Sequence, residues 1–275
     1  MRSTARVWQN WWMQIVAGLL MTAVVVLPWL WIGKSDSAIF PHASNDMLGL
    51  LVVFSVLTLF SAYFVRRNAR GAVKFAVLTD VGVALGLIGF VLQGLYAFNP
   101  KIFAGKISDA SVHQLWVVGS AFVLCQILYF LLVRLPLGIV VLLTAMLTTG
   151  ISLWLKIVAS LLGGAGEYGA YLNYAGPLVL GLALGTLGFM KAVHLLMWLL
   201  ALAIQWVMPA VFTALAALGS SSGRSFGSAV ASFANDVATN MDSSGWQIPT
   251  LVTLATAMLT SVVLLIARKV RKHGH

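Results

Sequence analysis

The sequence contains long runs of apolar residues, and each run is long enough to cross a lipid bilayer as a helix. A spanning helix needs about 20 predominantly apolar residues. Because the bilayer core offers no water to backbone N–H and C=O groups, each run must satisfy these groups internally, as a helix does. The sequence therefore predicts an all-α fold, a polytopic membrane bundle in a single domain, 1–275. Its eight predicted spans are 12–32, 47–65, 73–98, 113–133, 136–156, 174–190, 194–218 and 249–267.

Composition and charge support this class and exclude others. Of the 275 residues, 60% are hydrophobic and 9% are charged, whereas a soluble domain is charged at about a quarter of its positions. The net charge is +10. Nucleic-acid readers cluster Lys and Arg on one soluble face, but here these residues lie at the ends of apolar runs. We therefore expect the lipid bilayer as a partner, and no nucleic acid.

Two boundaries between neighbouring spans depend on short polar interruptions. Residues 113–156 are too long for one helix, and Arg134-Leu-Pro136 divides them because proline disfavours helix continuation. Residues 174–218 are also about two spans long. Lys191 with His194 is the interruption where a turn could reach the interface. If that turn is absent, the chain has seven spans and its C-terminus lies on the other side.

The basic residues predict the orientation of the spans. Cytoplasmic loops of membrane proteins carry an excess of Lys and Arg, and most of the 17 here lie on one side when the N-terminus is cytoplasmic. The cluster from Arg66 to Lys74 and the basic C-terminal tail set this bias most firmly. We therefore expect both termini in the cytoplasm and a multi-pass location in a cell membrane, the inner membrane of a bacterium.

One acidic residue, Asp80, lies well inside a predicted span. A charge at that depth is costly, so it should face protein or water and have a partner. Arg134 and Lys191 are the cations that we consider as partners. In the functional alternative the pair couples a proton or cation, or gates the protein. In the structural alternative it is a static ion pair near the cytoplasmic interface.

A glycine pattern, G-x-A-L-G-x-x-G-F, occurs at residues 82–90 and again at 181–189. Small residues at such spacing let membrane helices approach closely. The first copy is predicted to run from inside to outside and the second in the opposite direction, as in the inverted repeats of transporters. Generic packing and a true repeat both stay open. We expect close helix packing at the glycines of the two copies, Gly82, Gly86, Gly89, Gly181, Gly185 and Gly188.

The longest predicted outer loop, residues 220–247, has the pattern of an amphipathic helix. Such a helix could lie on the membrane surface, close a vestibule, dock a partner protein or rest on the protein's own surface. Its apolar stripe follows helical spacing and comprises Phe226, Val230, Phe233, Val237 and Met241.

The sequence shows no pattern for catalysis or for a cofactor. The H-E-x-x-H, G-x-S-x-G, Walker and EF-hand patterns are absent. Most histidines lie in or beside loops or in the tail, which disfavours a haem held between spans. The single cysteine, Cys125, lies within an apolar run and offers neither a disulfide nor a Cys-based metal site. We therefore predict no enzyme activity, no cofactor and no metal.

Glycine-rich spans with sparse charge favour passage of a solute across the membrane. The leading expectation is a transporter or permease, or the membrane subunit of a translocation or secretion complex, with other subunits or as a homo-oligomer. The segment Gln205-Trp-Val-Met-Pro209, followed by Ala-rich sequence and Gly219-Ser-Ser-Ser, resembles a short part of the inner-membrane channel components of conjugation-type secretion systems.

Two alternatives to a transport function stay open. One is a non-catalytic accessory or assembly protein that docks partner proteins, and the other is a membrane anchor or quinone-reactive subunit of an enzyme complex.

Overall fold

The computed structural model shows a helical protein. Within the described part of the chain no strand occurs, and eight segments are long and apolar enough to cross a membrane. The predicted all-α bundle of eight spans is therefore confirmed. The described residues are 10–32, 47–68, 73–98, 109–163, 165–219, 227, 230–231, 233–235, 237–238 and 247–273.

Seven of the eight spans are single helices, and the sixth is divided in two. The predicted run 174–190 includes only the second part of that span. The glycine-rich sequence that precedes this run contains Glu167 and resembles a turn, so it is not predicted as helix. The helices are α1 (Trp11–Ile32), α2 (Met47–Asn68), α3 (Val73–Phe98), α4 (Asp109–Arg134), α5 (Leu137–Leu161), α6 (Ala165–Leu172), α7 (Ala175–Leu187), α8 (Ala192–Gly219) and α9 (Gln247–His273).

Two residues with special backbone properties mark helix ends. Pro136 immediately precedes α5 with a φ of −61°, because proline suits the start of a helix but cannot continue one. Gly188 follows α7 with a φ of 75°, a conformation that residues with a Cβ rarely adopt. Both of the predicted interruptions, at Pro136 and at Lys191 with His194, therefore separate real helices, although His194 itself lies in the first turn of α8.

The sequence predicts a single domain, and in the structure the chain divides into two compact units. The first unit comprises Met1–Arg134 with Leu215–Arg224, and the second comprises Leu135–Ala214 with Ser225–His275. Helices α1 to α4 belong to the first unit. Helices α5, α6, α7 and α9 and most of α8 belong to the second.

In the first unit α2 contacts the other three helices, and α1 packs most extensively on α3. Of the most apolar part of α2, 72% is buried, which fits a helix that is hydrophobic all round. Gln14 of α1 is fully buried and accepts a hydrogen bond of 3.0 Å from the Thr79 hydroxyl of α3. Interhelical hydrogen bonds of this kind fix the register of helices that pack in lipid.

In the second unit α7 lies between α5 and α9 and contacts both. Its buried residues join a core to which α5, α8 and α9 also contribute. Several members are alanines, which allow the helices to approach closely. The core comprises Val141, Ala145, Leu180, Ala183, Leu184, Trp198, Ala201 and Ala257.

Candidate functional site

The break between α6 and α7 lies within a membrane span, and a side chain from α5 bridges it. The Ser152 hydroxyl donates to the Asn173 carbonyl (3.1 Å) and accepts from the Gly176 N–H (2.8 Å). A Cβ at Gly176 would lie 2.5 Å from the Thr148 carbonyl oxygen, so only glycine allows α7 this close to α5. Irregular backbone at membrane depth is tolerated where it is buried in protein or lines a cavity.

A cavity of about 530 Å³ opens at this break. Small-molecule sites have volumes of about 300–1,000 Å³, so the cavity is large enough for a solute. Helices α5, α7, α8 and α9 contribute to its lining, together with the break itself. The lining residues are Thr148, Thr149, Ser152, Leu153, Lys156, Asn173, Tyr174, Pro177, Gln205, Pro209, Ile248 and Pro249.

The lining is polar for a membrane span and carries one charged group. Threonine and serine hydroxyls, two amides and the Tyr174 phenol can each donate and accept hydrogen bonds. Lys156 supplies the charge, and the described residues that line the cavity include no acidic side chain. These groups suit a polar solute that is neutral or anionic, and they do not suit a cation.

Helix α8 presents two polar groups at the cavity, both from Gln205. Pro209 has no N–H, so it removes the helical hydrogen bond that the Gln205 carbonyl would otherwise accept. The Thr253 hydroxyl of α9 lies 3.0 Å from the Gln205 side-chain oxygen, and this hydrogen bond orients the amide. Gln205 and Pro209 both line the cavity. A backbone acceptor and a side-chain N–H donor are therefore available to a ligand there.

Asp80 lies in the first unit and is half-buried on α3. The Gln126 side-chain amide donates a hydrogen bond to its carboxyl. Asp80 also lines a cavity of about 10 Å³ with Cys125 and Tyr129 of α4. A cavity needs about 10–15 Å³ to hold one water molecule. The Asp80 site therefore has no room for a solute.

The structure does not bring Asp80 and Arg134 together. Arg134 is exposed at the end of α4, and helical rise places it about 12 Å along the helix from Gln126, the amide partner of Asp80. An amide thus takes the place of the predicted cation. Lys191 belongs to the second unit, and its pairing with Asp80 stays a prediction.

In the first copy of the glycine pattern, two glycines of α3 face α1. A Cβ at Gly82 would contact the Ile15 carbonyl oxygen and lie 2.9 Å from the Ile15 carbonyl carbon. A Cβ at Gly86 would lie 2.9 Å from the Thr22 Cβ. At Gly89 a Cβ would meet nothing within 4 Å. Close packing therefore needs the first two glycines of this copy and not the third.

In the second copy, two glycines of α7 face α9. A Cβ at Gly181 would lie 2.7 Å from the Thr253 carbonyl oxygen, and one at Gly185 would contact the Thr260 side chain. Gly188 makes no such contact and is needed for its positive φ. The partner α1 precedes the first copy in the chain, whereas the partner α9 follows the second. This difference in order favours close packing, rather than a duplicated segment, as what the copies share.

The predicted docking stripe is only partly described. Val230, Phe233 and Val237 are helical, and Val230 is exposed. Phe226 and Met241 lie outside the described residues. The docking role of this stripe stays a prediction.

The cavity of the second unit is not predicted from the sequence, although polar residues and prolines interrupt the apolar runs that form it. Pro209 and Gln205 interrupt the same apolar run at a spacing of four, and Asn173 with Pro177 interrupts the preceding run. Lys156 is the last residue of the predicted span 136–156. What the sequence does not display is that these interruptions meet around one space.

Among the described residues, no group of three or more His, Cys, Asp or Glu side chains could hold a metal ion. Comparisons of the chain with protein families, with curated proteins and with solved structures find no match.

Proposed function

We propose that the protein is a transporter or permease, and that the cavity of the second unit binds the solute during passage. The observation that supports this proposal is the cavity of about 530 Å³ at the break in a membrane-spanning helix. Solute sites of many transporters are formed by discontinuous helices near the middle of the membrane. The protein would act in a bacterial inner membrane with both termini cytoplasmic, alone, as a homo-oligomer or as a subunit of a translocation complex.

The chemistry of the lining narrows the class of solute. Among the described residues that line the cavity, Lys156 is the one charged residue, and the other polar groups are hydroxyls and amides. A small polar solute with a carboxylate, or a neutral one with several hydroxyl or carbonyl groups, can satisfy these donors. A cationic solute would meet Lys156 without any acidic group to compensate, and like charges repel.

A direct test asks whether water reaches the cavity from one side of the membrane. We expect Thr149→Cys, in a Cys125→Ser background, to react with a membrane-impermeant, charged thiosulfonate reagent. Thr149 lines the cavity, and the reactive thiolate forms only where water is present. Labelling is measured by mass spectrometry on intact cells and on inverted vesicles.

The matched control is Leu178→Cys. Leu178 follows Pro177 on α7 and is 45% exposed, but its apolar side chain does not line the cavity. We expect this position to face lipid and to stay unlabelled. Equal labelling of Thr149→Cys and Leu178→Cys, or no labelling of either, would contradict a water-filled solute site.

Transport itself is measured with the full-length protein in proteoliposomes. The vesicles are incubated with a mixture of small polar metabolites, and accumulated solutes are identified by mass spectrometry. Gln205→Leu should reduce uptake about tenfold or more, because it leaves a hydrogen-bonding group of the bound solute unpaired. Uptake by the wild-type protein no greater than by empty liposomes would remove the proposal.

A further inference from the structure

A second cavity in the second unit, of about 300 Å³, lies where α7 ends and α8 begins. It is distinct from the solute cavity, since the two share no residue. Its lining residues are Gly185, Thr186, Leu187, Gly188, Phe189, Met190, Lys191, His194, Ser261, Leu264, Leu265 and Arg268. By the predicted orientation this cavity faces the cytoplasmic side.

The positively charged side chains of this cavity lie beside the N-terminus of α8, which itself carries partial positive charge. The Lys191 carbonyl accepts from the N–H groups of His194 (2.9 Å) and Leu195 (3.3 Å), so Lys191 flanks the first turn of α8. The N-terminus of a helix carries partial positive charge and favours anions. Here Lys191 stands at that position, and Arg268 of α9 lines the same cavity. Of the described residues that line this cavity, none is acidic, so none compensates these charges.

A helix start with cations beside it favours an anionic ligand when hydrogen-bond donors also lie there. The N–H groups of Ala192 and Val193 precede the two that bond to the Lys191 carbonyl, and they have no acceptor within the helix, as at any helix start. His194 Nδ1 is buried and has no hydrogen-bond partner among the described residues. The Ser261 hydroxyl, in contrast, is already bonded to the Gly185 carbonyl (3.1 Å). The groups available to a ligand are therefore mainly cationic or N–H donors.

The apolar surroundings of the cavity decide which anion fits best. Met190 beside Lys191 is 76% exposed, and Val193 in the first turn of α8 is 62% exposed. Phe189 and Leu265, which line the cavity, are also exposed. In a membrane these side chains face acyl chains. A ligand with an anionic head and apolar tails matches both parts of the surface.

We propose that this cavity binds a phosphate group, carried by an anionic phospholipid of the cytoplasmic leaflet. Lys191 and Arg268 contact the phosphate oxygens, the first N–H groups of α8 point towards them, and the acyl chains lie along Met190 and Val193. Basic pockets between membrane helices on the cytoplasmic side bind phosphorylated headgroups in this way. The bound anion offsets the unfavourable charge at the start of α8.

The test measures lipid binding to the purified full-length protein. Phosphatidylglycerol is titrated in mixed micelles with phosphatidylcholine, and the bound lipid is counted by native mass spectrometry. The variants Lys191→Gln and Arg268→Gln should each weaken phosphatidylglycerol binding about tenfold, because each removes a charged hydrogen-bond donor. Lys191→Arg keeps the charge and should keep binding, which separates loss of the site from loss of the fold.

The matched control is Arg134→Gln, which removes an exposed cation at the end of α4, on the same predicted side of the membrane. It should leave phosphatidylglycerol binding unchanged. Equal lipid binding by Lys191→Gln, Arg268→Gln and Arg134→Gln would overturn the site. A second arm adds inorganic phosphate. If phosphate displaces the lipid from the wild-type protein, the headgroup assignment is overturned in favour of a soluble ligand; if the lipid stays bound, the assignment is supported.

Discussion

The contact between α1 and α3 depends on glycine at one position and not at another seven residues away. Gly82 faces the backbone of Ile15, and a Cβ there would contact the Ile15 carbonyl oxygen. Gly89 lies on the same helix, and a Cβ there would meet nothing within 4 Å. The substitutions Gly82→Ala and Gly89→Ala therefore add the same methyl group to the same helix in two different environments.

The expected energies of the two substitutions have opposite signs. Adding a methyl group to a filled contact costs about 1–3 kcal/mol. The upper part of that range applies at Gly82, because the obstacle is backbone and cannot rotate away as a side chain could. At Gly89 the added methyl group meets no neighbouring atom, and alanine in place of glycine stabilises a helix by up to about 1 kcal/mol. The propensity gain is common to both positions, so the two variants should differ by the contact cost alone, about 2–3 kcal/mol.

The assay is thermal unfolding of the purified protein in mild detergent, followed by tryptophan fluorescence. At about 2–4 °C per kcal/mol for a protein of this size, Gly82→Ala should unfold roughly 8 °C below Gly89→Ala. Gly18→Ala is a second test of the same contact, because a Cβ at Gly18 would meet the Thr79 carbonyl oxygen. If Gly82→Ala and Gly89→Ala had the same Tm, the packing of α3 on α1 would not be as close as described.

Two further predictions concern Asp80 and the topology. Asp80→Asn should leave the fold and gradient-driven solute uptake unchanged, because the new amide can still bond to Gln126 and the Asp80 cavity admits no solute; loss of uptake with intact folding would instead assign coupling to Asp80. A phosphatase or fluorescent reporter fused after His275 should report a cytoplasmic C-terminus, because eight spans return the chain to the side on which it starts; an external signal would refute the predicted orientation.

The sequence predicts the spans because the constraint behind them is local. An apolar run that crosses lipid as a helix satisfies its own backbone groups, so run length and hydropathy alone predict eight spans. The end of α4 and the start of α5 also follow from Pro136, since proline cannot continue a helix. The division into two units does not follow, because it depends on which apolar faces meet, and those faces are chemically alike in every span.

The polar sites show the same limit. Asp80 can be recognised in the sequence as a residue that needs a partner. Its partner is the amide of Gln126, which the sequence does not single out, because an uncharged donor carries no signal of its own. Arg66 is another example. Its position predicts topology, yet in the structure its guanidinium donates to the Leu132 carbonyl (2.6 Å) at the end of α4. A cation that bonds the last carbonyls of a neighbouring helix cannot be recognised from charge alone.

Helix α7 connects the two cavities of the second unit, and its length explains why both exist. Its 13 residues span about 20 Å, against a hydrocarbon core of about 30 Å. The irregular backbone at both of its ends must therefore be satisfied by side chains, water or ligands. The first end meets the polar cavity at Pro177, and the other meets the cationic cavity at Gly188.

Because Gly181 holds α7 against the backbone of α9, these two helices should move as one body. Opening of the solute cavity would then come from α8, because Gly176 holds α7 just as closely against the backbone of α5.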